Sequence, residues 1–351
     1  MVIAVGLTAF VAQQIDPDNV FARWANPDAT RLSRAGFQGL VVSGLSQGAL
    51  YGLIALGYSM VYGVLGFINF AHGEVFMVSA MTGMIVSRKL AEAGHWGSEF
   101  DFAFVLSLLL VVLVATVCST MTAVIMERVA YRPLRGSPRL IPLITSIGVS
   151  FFIQSVSLVL LGSGPKAYAP RPDWIQNRHS FLGFDIKGSQ LLVLCVAAVS
   201  MAGLWYLVER TKTGKAMRAV AEDKEIASLM GIDVDRTIVK TFAIGGAMAG
   251  IAGVLFGLLF GSVTHTTGFL PGIKAFSAAV VGGVGNLGGA MAGGVAIGGA
   301  ESLGPQTILE PLGIPGATQL KDAVAFLALI FVLLIKPTGL FGERLSAEDR
   351  A

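Results

Sequence analysis

The sequence predicts an all-α, polytopic membrane helix bundle of roughly eight to ten transmembrane helices, some of them broken or re-entrant. Three observations carry that prediction. Hydrophobic residues fill 54% of the 351 positions and charged residues only 13%, where a water-facing domain carries about a quarter. Apolar stretches of about 20 residues, the length that crosses a hydrocarbon core, recur along the chain. Glycine occupies 44 positions, which suits membrane helices whose backbones approach closely.

Taken in order, the apolar stretches fall near residues 37–65, 68–87, 102–126, 140–162, 189–208, 237–261 and 321–341. A further stretch, 273–303, is interrupted by glycines at 282–289. It reads either as one long span or as two half-helices meeting at an unwound turn, which is tolerated at membrane depth only inside protein or beside a water-filled path. The organisation is then an N-terminal extension (1–36), a membrane domain (37–341) with a polar loop at 211–236, and a polar tail (342–351). The first dozen or so residues are apolar but lack a basic leader and a small-residue cleavage site. No signal peptide is predicted; the segment reads as a short extra membrane segment or a variable extension.

Orientation follows from loop charge. Arg128, Arg132, Arg135 and Arg139 lie in one loop, and Arg210, Lys212, Lys215, Arg218, Lys224, Arg236 and Lys240 in another, two spans further on. Both are predicted on the cytoplasmic face. The net charge of +3 is small and dispersed, so no nucleic-acid partner is indicated. Cys118 and Cys195 sit far apart in apolar runs and read as core residues rather than as a disulfide or metal site.

Two glycine series predict close helix contacts. Gly44, Gly48 and Gly52 repeat every four residues, and Gly246, Gly250, Gly253, Gly257 and Gly261 form a stripe along one helix. Such faces serve packing within the chain or against a second chain; a smooth wall for a substrate is the alternative.

Two polar foci carry the candidate chemistry. In Ile68-Asn-Phe-Ala-His-Gly-Glu74, the side chains of Asn69, His72 and Glu74 lie between apolar runs, where ionisable groups are costly and face a bundle interior or cavity. His72 and Glu74 would point to different sides of a regular helix, so a turn or broken helix is expected. Asn69, Phe70, His72, Glu74 and Asn286 are the candidates for lining a translocation path; a polar clamp on free backbone groups is the alternative for the first segment. The second focus, 211–236, reads as a short amphipathic helix closed by a glycine cap at Gly231. It suits docking to a protein partner or, on composition alone, a solvated connector.

Neither focus binds ATP. Gly214-Lys215 lacks the upstream glycine of a phosphate loop, and Ala216 replaces the required Ser or Thr. No cofactor or metal is expected in this chain, and no nucleophile or metal-ligand constellation marks it as an enzyme. If transport is ATP-driven, ATP and magnesium are bound by other chains.

The motifs resemble the LivH-type permease subunit of branched-chain amino acid ABC importers from about Phe37 to Gly342. The resemblance is carried by Gly48-Ala-Leu-Tyr-Gly-Leu-Ile-Ala-Leu-Gly-Tyr58, Met60-Val-Tyr-Gly63, Gly66-Phe-Ile-Asn-Phe-Ala-His-Gly-Glu74, Glu127-Arg-Val-Ala-Tyr-Arg-Pro-Leu-Arg135, Ala219-Val-Ala-Glu-Asp223 and Gly272-Ile-Lys-Ala-Phe-Ser-Ala-Ala-Val280. It implies a bacterial inner-membrane permease working with a second homologous permease chain, two ATPase chains and an extracytoplasmic binding protein that delivers a small amino acid. It also implies that 211–236 couples to the ATPase, through Gly214, Arg218, Ala221, Glu222, Asp223, Ala227, Gly231 and Ile232. Glu222 and Asp223 would pair with basic groups there, and Ala221, Ala227 and Gly231 would permit close packing. Urea and short-amide permeases share Ala71-His-Gly-Glu74, and a stand-alone secondary carrier is the alternative from another class.

Overall fold

Ser33 starts the first long helix by accepting a hydrogen bond from the Gly36 N–H at 3.0 Å, an N-cap that satisfies one of the free first-turn donors. In this computed structural model, residues 2–15 and 32–342 are described, apart from Ser98, Arg139 and Leu182. The helices are α1 (Val2–Ile15), α2 (Arg34–Leu65), α3 (His72–Glu92), α4 (Phe102–Met126), α5 (Leu140–Leu161), α6 (Asp173–Gln176), α7 (Gly188–Arg210), α8 (Lys212–Glu222), α9 (Lys224–Leu229), α10 (Val234–Phe260), α11 (Phe269–Gly282), α12 (Leu287–Gly304) and α13 (Lys321–Ile335). Among the described residues, six segments are long and apolar enough to cross a membrane: Arg34–Leu65, Phe102–Leu134, Leu140–Leu161, Gly188–Arg210, Val234–Phe260 and Ala317–Ile335. The chain is a multi-pass helical membrane protein. Helix α3 is buried among these spans, and the stretch at 273–303 resolves into two helices, α11 and α12. They lie antiparallel, Gly282 against Gly289 and Gly293 against Ala278.

Four short strands depart from the all-helical expectation: β1 (Lys166–Ala167) pairs with β4 (Ser262–Val263), and β2 (Arg178–Phe181) with β3 (Phe184–Lys187). They lie in the connections outside the apolar spans, where no helical period exists to detect. Of the N-terminal extension, residues 16–31 lie outside the described residues. Val2–Ile15 is a helix of about 21 Å that packs on the 305–312 segment, with Gln13 Nε2 donating to Pro311 O at 3.3 Å. Of the tail, residues 343–351 lie outside the described residues.

The bundle reverses the habit of a soluble core. Leu109, Leu113, Phe152 and Val159 on α4 and α5 are exposed, while Ser46, Ser79, Ser119 and Ser146 are fully buried. Lipid solvates large apolar side chains, so burial selects small residues and hydroxyls that bind neighbouring backbones. Ser119 Oγ lies 3.0 Å from Val75 O and 2.9 Å from Gly246 O, joining α4 to α3 and α10. Cys195 is exposed and Cys118 partly so, which replaces the core placement expected for Cys195.

The glycine series face neighbours within the chain. Gly44, Gly48 and Gly52 of α2 lie against Gly298, Gly294 and Met291 of α12. A methyl on Gly48 would sit 2.7 Å from both Gly294 O and Val295 Cα, so the backbones touch. The second series is not one flat wall. Gly246 and Gly250 meet Ala123 and Thr116 of α4, Gly253 meets the α3 backbone at Phe76 and Ala80, and Gly257 receives the Tyr168 ring. Gly261 is not a packing position of that helix but its end, at φ 78, the left-handed cap that glycine adopts without strain.

Candidate functional site

Helix α2 ends at Gly66, whose φ of 76 reverses the chain. Residues 67–71 then lead to α3, which starts only at His72. Three bonds hold this turn. Asn69 Oδ1 accepts the Ala71 N–H at 3.1 Å and the Tyr131 hydroxyl at 2.6 Å, and the Phe70 N–H donates to Ser146 Oγ at 3.2 Å. Asn69 thus acts as a clamp on the break, while the Phe70 ring lies 5.5 Å from Phe276. Replacing Tyr131 by Phe should cost about 1–2 kcal/mol by depriving the buried Asn69 Oδ1 of a donor, measured by unfolding in mixed detergent micelles.

His72 and Glu74 both lie in the first turn of α3, directly after the irregular residues that separate it from α2, and point apart. The His72 ring is buried against Gly57 and 4.8 Å from Tyr58 in an edge contact. Gly245, near the midpoint of α10, lies beside it. That contact places the start of α3 deep within the bundle. Gly73 permits the next approach: its Cα meets Gly272, and its carbonyl meets Gly268. The N-termini of α3 and α11 therefore abut, each bringing the partial positive charge of its free N–H groups.

Glu74 faces the same junction and is 1% exposed. Its Oε1 accepts from Gln154 Nε2 at 2.8 Å and Ser150 Oγ at 3.2 Å. Its Oε2 has no hydrogen-bond partner among the described residues. A cavity of about 370 Å³ opens beside it, with Tyr58, Phe70, Ile273, Phe276 and Leu329 among its walls. Among the five path candidates the structure brings Phe70 and Glu74 to this cavity. Asn69 and His72 support the break beneath it. Asn286 belongs elsewhere: it accepts from the Gly289 N–H at 2.8 Å to cap α12 and donates to Phe341 O at 3.1 Å. The break that meets the 66–74 turn is thus the 261–268 connection, not the glycine run at 282–289.

The loop at 211–236 is two helices, not one. Asp223 leaves helical geometry at φ −151 and caps α9 by accepting from Glu225 N at 2.7 Å and Ile226 N at 2.9 Å. That carboxylate is occupied in the chain itself, unlike the exposed Glu222. Ala227 is 3% exposed, so its small size serves packing inside the chain. Gly214 is likewise packed on the Val208 backbone, and Arg218 Nη1 donates to Val208 O at 2.6 Å and Glu209 Oε2 at 3.0 Å. Gly231 is a left-handed cap at φ 80, and the Ile232 N–H donates to Ala227 O at 3.0 Å. Ala221 stays on the surface beside them. What projects outward is apolar: Ile226, Leu229 and Met230 are exposed on α9 and the residue after it.

The two basic loops meet, which places them on one face. Arg132 Nη2 bonds Asp235 Oδ2 at 2.6 Å, and Arg135 bridges Asp235 to the buried Glu127. Residues 127–135 thereby connect the foot of α10 to the clamp at Asn69. Three groups escape the sequence reading, two of them although a signal is present. Ser146, Ser150 and Gln154 repeat every four residues along apolar α5, a polar stripe at helical spacing. Tyr131 carried no such signal. Lys274 stands alone in an apolar run; it pairs with Glu301 at 2.8 Å and Asp322 at 2.6 Å, and Tyr51 donates to Glu301 at 2.8 Å.

A bundle of apolar spans with two helices starting deep inside it, beside a cavity and a buried carboxylate, is the architecture of a membrane transport subunit. The chain belongs to the family of permease components of branched-chain amino acid transport systems, whose profile matches residues 40–333. It is 41% identical to the high-affinity branched-chain amino acid transport system permease protein BraD of Pseudomonas aeruginosa, over 86% of this chain and 95% of that one. It is 40% identical to the corresponding permease protein LivH of Escherichia coli K12, over 86% and 94% of the two chains. A more distant relative, the probable branched-chain amino acid transport permease protein LivH of Methanocaldococcus jannaschii, is 28% identical over 83% and 88%. The family that the motifs resemble is the one that matches, and as a permease component the chain works with other components of a transport system.

Proposed function

We propose that this chain lines half of the path by which branched-chain amino acids enter the cell, completed by a second homologous permease chain. Two separate ATPase chains supply the energy from the cytoplasmic face, and an extracytoplasmic binding protein delivers the cargo. The observation that carries the ATP-driven reading is the α8–α9 pair. It presents Ile226, Leu229 and Met230 to water on the face that bears the basic loops, and an exposed apolar group rimmed by charge is the mark of a protein docking site. The relatives, covered almost end to end, carry the cargo part of the reading.

The coupling route follows the contacts. A push on α9 reaches the start of α10 at Asp233 and Asp235. It passes through Arg132 and Arg135 to Tyr131, and so to the clamp on the 66–71 turn. Two helices that begin inside the bundle at that turn can rock relative to each other, opening the path to one side at a time. Glu222 on the rim remains available to basic groups of the ATPase.

Leu229→Glu with Met230→Glu should insert and fold normally, because both side chains are exposed, yet transport should fall at least about tenfold, the cost of losing an apolar docking anchor. The measurement is ATP-driven leucine uptake by the complete complex in proteoliposomes. Undiminished uptake would remove α9 from the docking face. A stand-alone carrier is disfavoured by a specific observation: of the buried carboxylates Glu74, Glu127 and Glu301 among the described residues, Glu127 is already paired with Arg135 and Glu301 with Lys274. Uptake by this chain without any ATPase would restore that reading.

A further inference from the structure

We infer that the cavity beside Glu74 is a transient cargo site within the membrane domain, in which Glu74 Oε2 receives the ammonium group of an apolar amino acid. The inference rests on the amino acid cargo proposed above and adds the chemistry of recognition. A carboxylate oxygen that is buried and without a partner is expensive, because desolvation of an ionised group costs several kcal/mol unless a cation or donor meets it. Glu74 is 1% exposed, and its second oxygen is unmet among the described residues. No Lys, Arg or His lines the cavity, and Glu74 is its one ionisable carboxylate.

What the cavity lacks is therefore a cation to meet Glu74; apart from the hydroxyls of Tyr58, Ser150 and Ser277, what it offers is an apolar surface. Phe70, Ile273, Phe276 and Leu329 form walls against which an aliphatic side chain would rest. At about 370 Å³ it stands at the small end of the range for ligand pockets, about 300–1,000 Å³. Ser150 and Gln154 hold Oε1 in place from α5, which leaves Oε2, packed against Gly268 at the cavity wall, as the oxygen without a partner. Because Glu74 sits where the N-termini of α3 and α11 abut, rocking at that junction would move the anchor away from the walls and release the cargo. A ligand carrying both an ammonium and an aliphatic group satisfies the whole lining; a neutral urea does not.

The test uses the full chain in its complete complex, in nanodiscs, with four probes: L-leucine, 3-methylbutylamine (no carboxylate), 4-methylpentanoate (no ammonium) and urea. Leucine and the amine should bind, and the acid and urea should not. Glu74→Gln should weaken the first two by about 10- to 100-fold, the worth of a hydrogen bond to a charged group. Ile273→Trp, which fills the cavity without touching the carboxylate, should do the same and guards against a Glu74 variant that fails to fold. Equal binding of the acid and the amine, or unchanged leucine binding in both variants, would overturn the inference. So would loss of the partner permease from the Glu74→Gln complex with leucine binding intact, since Glu74 would then be paired across the interface. ATP-driven uptake by the unmodified complex separates the two readings: no leucine uptake at all defeats the proposed cargo, whereas normal uptake in Glu74→Gln defeats only this site.

Discussion

Lys274→Met should destabilise the chain by about 3–5 kcal/mol, the cost of removing one partner of a buried ion pair. Lys274 Nζ lies 2.8 Å from Glu301 and 2.6 Å from Asp322. With the ammonium gone, Glu301 is left at 3% exposure, held by the Tyr51 hydroxyl and by Lys321 at 3.9 Å. Asp322 is about a third exposed and can hydrate, so Glu301 carries most of the loss. The cluster joins α2, α11, α12 and α13, and its failure should free α13 first.

The double variant Lys274→Met with Glu301→Gln should recover more than half of the stability, because it removes the charge rather than stranding it. Unfolding in mixed detergent micelles, followed by tryptophan fluorescence, measures both. A single variant as stable as the parent would show that the carboxylates are neutralised by protonation, not by Lys274.

The second large effect is steric, and the chain contains its own control. Gly298→Ala should cost about 3 kcal/mol, the upper end of overpacking effects, while its neighbour Gly299→Ala should be neutral or stabilise the helix by about 0.5–1 kcal/mol. A methyl on Gly298 would enter the backbone of α2 at Gly48 and Gly44, and backbone cannot step aside as a flexible side chain can. A methyl on Gly299 meets nothing within 4 Å. Equal stability of the two variants in the same unfolding assay would show that α2 and α12 slide freely. Transport by Gly299→Ala should remain normal.

Much of this was legible in the sequence for a plain reason: lipid tolerates only satisfied backbones, so spans must be long, apolar and helical. The break at 66–74 was visible because polar side chains stood where none belong. Its exact form was not, since His72 and Glu74 are helical and the irregular residues precede them. In sequence the 211–236 loop reads as one helix because Lys, Ala, Met and Glu favour helix on both sides of Asp223. The carboxylate of Asp223 then competes for the next N–H groups and starts a new helix. Asn286 was misplaced for a related reason: a polar residue among glycines marks a cap as readily as a path.

The membrane class, most of the spans, the face bearing the basic loops and the permease family follow from composition, loop charge and motif order. These are properties of local chemistry and need no contacts. Only the tertiary structure decided which side of each helix is used. It turned the glycine stripes inward, closed Lys274 onto Glu301 and Asp322 from three helices, and set Glu74 beside a cavity built by five other segments. Those partners lie far apart in the chain, Gly44 against Gly298 and Glu74 beside Leu329, and no period along a chain encodes which distant face it will meet.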